Sequence, residues 1–259
     1  MKNILATIVL LFMATLFATA QDINVVDSNG KRQGKWIKYY NNGVKQYEGF
    51  FKDDHPIDTM KRYNSNGTPL SVLIYSEDGV EAYAYIYYEN GYLASEGIYI
   101  NQQKEGLWRF YSSTIKDYLI NEEYYSENLK NGSSVTYYTN KAIAEKRFFV
   151  YGKEDGERTQ YYADGSLLMK AHYENGKLNG SFESWYSNGE REFQGVYKEN
   201  LREGKWVMYD EDGKVKYEAN YIKGKSDNRQ MDIDASDELD IMEQKGKQML
   251  DPANGELPF

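Results

Sequence analysis

The feature that most constrains this sequence is a 24-residue repeat that recurs about eight times. With Gly34 as position zero, the later repeats open at Asp58, Ala82, Gly106, Gly132, Gly156, Gly180 and Gly204, and the fourth carries a two-residue insertion. Position five is aromatic in every repeat: Tyr39, Tyr63, Tyr87, Tyr111, Tyr137, Tyr161, Trp185 and Tyr209. A period of this length indicates a repeat array in which each unit contacts its neighbours.

Turn signals divide each repeat into two strands. Positions eight and nine are Asn-Gly or Asp-Gly in six repeats, a dipeptide that favours a two-residue type I′ turn. A second, looser turn separates the repeats, as in Asn175 to Gly180, where glycines permit unusual backbone angles. The sequence therefore predicts an all-β fold, an elongated single-layer antiparallel β-meander of about eight two-stranded repeats and roughly sixteen strands.

Pairing across the first turn predicts two dissimilar faces, because it joins positions whose numbers add to seventeen and cross-strand partners share a face. On one face, Trp36 and Phe182 at position two oppose Gly49 and Gly195 at position fifteen. A ring that covers a bare glycine backbone stabilises a strand. The other face carries the position-five aromatic residues beside charged residues at position fourteen, so we expect it to be the wetter face.

The motif G-x-W-x-x-Y-Y-x-N-G, best seen in Gly34 to Phe51, Gly180 to Tyr197 and Gly204 to Tyr221, resembles the MORN repeat. The closest resemblance is to the bacterial variant in YwqK-like antitoxin proteins. This resemblance implies a single-layer β-sheet that contacts a partner, and in the YwqK-like case neutralisation of a toxin. Asp58 and Ala82 depart from the opening glycine of the motif, and Ser134 replaces its tryptophan.

The N-terminal residues have the three parts of a secretory signal peptide: Lys2, an apolar run from Ile4 to Phe17, and a small-x-small site ending at Ala20. Cleavage is expected after Ala20, and no later segment is apolar enough to span a membrane. The predicted organisation is a signal peptide (1–20), a repeat domain (21–225) and an acidic C-terminal segment (226–259). Export predicts a periplasmic or extracellular location.

Composition argues for binding rather than catalysis. The chain has no cysteine, two histidines and a net charge of −9, so we expect no catalytic residues, no metal site, no cofactor and no nucleic-acid ligand. His55 falls in a turn between repeats. His172 occupies position sixteen, where other repeats carry Phe50, Ile98 or Val196, which predicts a packing role.

The candidate partner-binding residues are the eight aromatic residues at position five, which serve either as a structural ladder or also as a partner platform. Tyrosine and tryptophan bring large contact areas to interfaces at low entropic cost. A protein partner is the leading expectation. The alternative is a glycan or an envelope polymer, because regularly spaced rings suit stacking on sugars.

The C-terminal segment does not continue the repeat. Ser236 to Glu238 could cap a short helix that carries Leu239 and Met242, although Gly246 weakens that prediction. Two alternatives remain for this segment, a cap over the last hairpin and a disordered acidic tail.

Overall fold

A computed structural model describes residues 22–233, which form one open antiparallel sheet of 19 strands. The predicted signal peptide and most of the predicted acidic C-terminal segment lie outside the described residues. The strands are β1 Val25–Val26, β2 Arg32–Tyr39, β3 Lys45–Lys52, β4 His55–Tyr63, β5 Pro69–Tyr75, β6 Glu81–Tyr87, β7 Leu93–Ile100, β8 Gln103–Tyr111, β9 Leu119–Ser126, β10 Leu129–Tyr137, β11 Ile143–Val150, β12 Lys153–Glu154, β13 Gly156–Tyr161, β14 Leu167–Glu174, β15 Lys177–Trp185, β16 Arg191–Lys198, β17 Leu201–Tyr209, β18 Val215–Ile222 and β19 Lys225–Ser226.

The predicted meander is confirmed, because strands pair with their sequence neighbours from β1 to β19. Three strands, β1, β12 and β19, have only two residues, and the others are the sixteen that the repeats predict. The short β12 and β13 both pair with β11 and are separated by Asp155 alone. Within residues 22–233, no helix has the length and apolar character needed to cross a membrane.

The turn inside each repeat differs from the predicted type I′ turn. In the seventh repeat, the Gly189 N–H donates to the Tyr186 carbonyl at 2.9 Å, and the Tyr186 N–H donates to the Glu190 carbonyl at 2.8 Å. The loop therefore has three residues, and only Gly189 takes a positive φ, of 88°. This is a type I turn closed by a left-handed glycine, so the prediction of positive φ at both position eight and position nine was wrong.

The turn between repeats is the tighter of the two, again contrary to the prediction. Asn175 and Gly176 both take positive φ, 53° and 83°, which is the geometry of a two-residue type I′ turn. A bulge follows at position zero, where Gly34 and Asp58 have φ values of 66° and 54°. Ala82 escapes this requirement, because a longer turn lets β5 and β6 pair without a register shift.

The predicted register is confirmed in the first repeat, where Gly34 pairs with Phe51 and Trp36 with Gly49. Positions 2, 4, 13, 15 and 17 form one face, called here the buried face. Positions 1, 3, 5, 14 and 16 form the opposite face, called here the open face. The predicted glycine cover was wrong in its partners: the ring over Gly195 belongs to Trp206 of the following repeat and not to Phe182, and the side chain nearest Gly49 is Met60 and not Trp36.

The buried face holds two apolar clusters separated by charged residues. One cluster contains Ala84, Ile86, Trp108 and Phe110, and the other surrounds Leu168, Phe193, Trp206 and Met208. Between them, the buried Glu145 accepts hydrogen bonds from Arg158 Nε and Gln160 Nε2, both at 2.8 Å. The nearby Glu123 pairs with Lys130 and accepts a bond from the Tyr125 hydroxyl at 2.6 Å.

Cations at position 22 lie over the rings of the buried face. Arg32 lies 4.0 Å from the centroid of the Phe51 ring, and Arg202 lies 5.1 Å from that of Trp206. Lys104 is surrounded by Trp108, Phe110 and Tyr125 at 4.9 to 5.1 Å. These cation–π contacts connect the residue two places before position zero with the aromatic residues of the repeat that follows.

The C-terminal end of the described sheet is covered by a helical segment. Residues 229–233 are helical, and the Asn228 side chain accepts a bond from the Gln230 N–H at 3.2 Å. Met231 packs fully buried against the second apolar cluster, and Asp232 accepts a bond from the Tyr221 hydroxyl at 2.7 Å. This segment caps the last hairpin, whereas the helix predicted from Ser236 onward lies outside the described residues.

Candidate functional site

The eight predicted site residues all lie on the open face, and each is the last residue of a strand. Tyr39 is 54% exposed, and the other seven rings are half-buried. The next residues form the turn, and the register shifts at each of these aromatic positions. The structure therefore brings the predicted residues into one row along the sheet.

Hydroxyl groups connect this row to the preceding repeat. Three of the tyrosines donate to carboxylates at position fourteen one repeat earlier: Tyr63 to Glu48 at 3.0 Å, Tyr111 to Glu96 at 2.8 Å and Tyr137 to Glu122 at 2.7 Å. Where position fourteen is Lys146, its ammonium lies 6.0 Å from the centroid of the Tyr161 ring. The row is thus a structural ladder, built on hydrogen bonds and cation–π contacts.

The same contacts raise the pKa of two tyrosines of the row. Burial, together with the Glu122 carboxylate, raises the pKa of Tyr137 to about 12. Burial and Glu96 likewise raise the pKa of Tyr111. Both phenols are neutral donors at physiological pH, because ionisation beside a carboxylate is unfavourable.

A second tyrosine ladder, at position six, was not predicted. These hydroxyls donate to the carbonyl of the position-five residue in the next repeat at 2.7 to 3.0 Å: Tyr40 to Tyr63, Tyr88 to Tyr111, Tyr138 to Tyr161, Tyr162 to Trp185 and Tyr186 to Tyr209. The recurring Tyr-Tyr or Trp-Tyr pair before the turn is the sequence signal of this ladder.

The asparagines at position eight form a third ladder. Their side-chain amides donate, each at 2.8 Å, to a turn carbonyl of the next repeat: Asn42 to Ser65, Asn90 to Ser113, Asn140 to Ala163 and Asn188 to Glu211. An aspartate at this position cannot donate, which distinguishes asparagine from aspartate in the motif. The three ladders together hold the aromatic row in one geometry.

An apolar row at position sixteen also lies on the open face. Its most exposed members are Ile74, Tyr124, Phe148 and Val196, which are 43 to 46% exposed. The sequence predicted a packing role for His172, and its side chain does lie against Gly180, 3.0 to 3.3 Å from a Cβ built there, although His172 is exposed. The open face has no second layer over this position within residues 22–233.

These features define the class of the protein, a repeat β-meander. Its own side chains cover the buried face, and no second layer covers the open face within residues 22–233. Three segments, residues 32–53, 154–175 and 202–223, match the family model of the MORN repeat variant. The chain is similar to this family in those segments, which begin just before position zero and end at the turn between repeats.

Solved structures also match, among them two that cover most of this chain. One is a crystal structure of TcdB2-TccC3, with 13% sequence identity, a TM-score of 0.22 and coverage of 78% of this chain and 12% of that chain. The other is a structure of the Photorhabdus luminescens Tc holotoxin pore, with 13% identity, a TM-score of 0.22 and coverage of 72% and 11%. The comparison with curated proteins found no match.

Proposed function

We propose that this protein is an exported protein-binding or scaffolding module that works in the periplasm or outside the cell. MORN repeats commonly serve as protein- or membrane-binding modules. The most specific form of the proposal is antitoxin-like neutralisation of a protein partner. The observation that carries the proposal is the apolar row at position sixteen, which lies beside the aromatic row of the open face.

The exposure of this apolar row favours a protein partner. Tyr124 and Phe148 occupy the same position in the fourth and fifth repeats, and they are 43% and 46% exposed. Contiguous exposed apolar surface marks interaction sites more often than isolated exposed residues do. Because less than half of each side chain is still exposed, its burial would contribute about 0.7 to 1.4 kcal/mol before the costs of association.

The rigidity of the open face supports the same function. The Tyr137 ring is held by its hydroxyl bond to Glu122, and its backbone carbonyl accepts a bond from the Tyr118 hydroxyl at 2.6 Å. A surface that is already ordered loses less conformational entropy when it binds. The ladders thus stabilise the sheet, and they also hold the open face in one conformation before a partner binds.

Recognition of a glycan or an envelope polymer is the alternative function. Stacking on sugars requires open ring faces, but seven of the eight position-five rings are half-buried, and Tyr39 alone among them is more exposed. Several of their hydroxyls are already bonded to carboxylates of this chain. The open face therefore suits a protein surface better than a sugar chain, and we propose binding rather than catalysis as its role.

The test begins with the protein exported by its own leader. We expect its intact mass to correspond to a chain that begins at Gln21. Each protein that copurifies with it is then purified separately and mixed with it to reconstitute the complex. Phe148→Glu should weaken the reconstituted complex at least about tenfold, equal to about 1.4 kcal/mol. Ile115→Glu is the matched control, because Ile115 has the same 46% exposure but lies in the inserted loop of the fourth repeat.

Equal loss of affinity with both variants would contradict a specific role for the open face. Retention of affinity with Phe148→Glu would exclude the apolar row from the interface. Preferential copurification with polysaccharide would support the alternative function.

A further inference from the structure

The first two repeats place charge where repeats three, four and eight place buried apolar side chains. Position four lies on the buried face and holds Ile86, Phe110 and Met208 in repeats three, four and eight, all buried. Lys38 and Arg62 occupy the same position in repeats one and two, and both are exposed. The buried face is therefore open to solvent at its N-terminal end.

These two cations flank an aromatic residue in a single row. Lys38 pairs with Tyr47, and Tyr47 pairs with Arg62 on the next strand, so the three side chains share a face. Successive strands lie about 4.8 Å apart, which places the two cationic side chains on strands about 10 Å apart. The row crosses β2, β3 and β4.

A cavity of about 870 Å³ lies over this row. Its apolar lining includes Met60, Leu73 and Tyr75. A volume of this size accommodates several side chains of a bound segment, and it lies within the range of ligand-binding pockets. The groove thus offers apolar contact and positive charge side by side.

The positive charge of the groove is not neutralised within the described chain. Neither Lys38 nor Arg62 has a carboxylate within 4.0 Å among residues 22–233. Arg32, a third lining cation, is already paired with Asp54 at 2.9 Å. Asp78, the acid among the lining residues, accepts bonds from the Ser76 hydroxyl at 2.6 Å and the Val80 N–H at 3.0 Å.

We propose that this groove is a second docking surface, which binds an acidic segment of a partner protein. Carboxylates of the segment would pair with Lys38 and Arg62, and apolar side chains between them would contact Met60, Leu73 and Tyr75. Charge complementarity supports this occupant, because a pair of unmatched cations in a chain of net charge −9 favours an anionic ligand. Lys38, Tyr47 and Arg62 share the face opposite the aromatic row, and Tyr63 is the one member of that row that lines the groove.

Neighbouring cations on opposite faces provide a matched test. Lys61 and Arg62 are adjacent and both exposed, but alternation along the strand places Lys61 on the open face. The probe is a fluorescein-labelled peptide of about twelve residues that contains glutamate and leucine in equal numbers, and binding is measured by fluorescence anisotropy. Arg62→Glu should weaken binding at least about tenfold, and Lys61→Glu should change it less than about twofold.

Two further probes test whether binding requires the negative charge of the peptide and whether an anionic sugar can replace the peptide. A peptide with every glutamate changed to glutamine should bind at least about tenfold more weakly, and an oligogalacturonate should not compete with the acidic peptide. Arg62→Gln, which keeps most of the side-chain bulk, replaces Arg62→Glu if the latter does not fold. Equal losses with Arg62→Glu and Lys61→Glu, unchanged binding of the glutamine peptide, or displacement by the oligogalacturonate would each overturn the proposal.

Discussion

The indole ring of Trp206 lies directly over Gly195 of the preceding repeat. A Cβ built on Gly195 would be 2.2 Å from ring atoms Cδ2 and Cε2, and Trp206 Nε1 donates to the Val196 carbonyl at 3.1 Å. Trp108 makes the same hydrogen bond to the Ile98 carbonyl at 3.1 Å. A tryptophan at position two thus fastens its repeat to the one before it.

Gly195→Ala should therefore destabilise the sheet, because the added methyl group cannot coexist with the Trp206 ring in its present place. Overpacking of this kind typically costs about 1 to 3 kcal/mol. Gly49→Ala is the control at the same position of the first repeat, where the nearest atom is the flexible Met60 Cε at 3.1 Å. Urea unfolding should show a clearly larger loss for Gly195→Ala, and equal losses would show that the ring does not determine the need for glycine.

Gly189→Val should destabilise the protein through the backbone alone. Gly189 has a φ of 88°, and no atom lies within 4 Å of a Cβ built there. The cost of holding valine in the left-handed region is on the order of 1 to 3 kcal/mol. Gly189→Asn should lose much less, since asparagine tolerates that region. The denaturant midpoints of the two variants test this, and identical midpoints would argue against a conformational requirement.

The strand count, the meander and the register could be predicted because they depend on local signals. Tyr39 and its equivalents fix the period, and pairs such as Trp36 with Gly49 follow from it. The turn types could not be predicted, since Asn188-Gly189 is compatible with a two-residue or a three-residue loop. The three-residue loop goes with the register shift at Trp185, which is a property of the paired strands.

Glu145 should be the most sensitive acid of the charged zone. It is 3% exposed and lies 2.6 Å from Arg158 Nη2. Glu145→Gln would leave the half-buried Arg147 and Arg158 without their counter-charge, at a cost of about 1.5 to 3 kcal/mol, the range for hydrogen bonds to charged groups. Glu157→Gln is the control, because Glu157 pairs with Lys170 on the exposed surface, where such pairs contribute about 0 to 1 kcal/mol. Thermal and chemical unfolding of both variants should separate them, and similar small losses would mean that the buried pairing is not required.

Alkaline pH should destabilise the sheet, because it deprotonates tyrosine side chains whose pKa is raised in the folded protein. Tyrosine has an ordinary pKa of 10.0, and burial and Glu122 raise that of Tyr137 in the folded protein to about 12. A raised pKa means that the folded state binds the proton more tightly, so this stability is complete below pH 10 and is lost as pH rises toward 12. Burial also raises the pKa of Tyr63, Tyr99 and Tyr173.

The urea midpoint should therefore fall steadily above about pH 10. Part of the tyrosinate absorbance should appear together with unfolding, because the phenols whose pKa is raised titrate mainly when they are released. Tyr137→Phe removes one titrating group and should make the pH dependence shallower. A midpoint that stays constant to about pH 11 would contradict the proposed coupling.

The candidate site could be predicted only in part. The position-five residues share one face, as the two-residue alternation of a strand requires. The exposure of Phe148 and Val196 could not be predicted, because both faces of this sheet carry aromatic and aliphatic residues. Which face is buried depends on contacts between repeats, such as Trp206 over Gly195. The groove at Lys38 and Arg62 was missed because isolated cations in a strand are ordinarily solvated.

The most direct test of the central claim is a paired measurement of affinity and thermal stability with the copurified protein partner. Tyr137→Ala and Tyr161→Ala should each weaken binding by about 1 kcal/mol or more while the sheet remains folded. Trp206→Ala should lower stability by about 3 to 5 kcal/mol, with little effect on the affinity of the protein that remains folded. Loss of affinity with Trp206→Ala alone, and none with the two tyrosine variants, would place the interface on the opposite face and contradict this account.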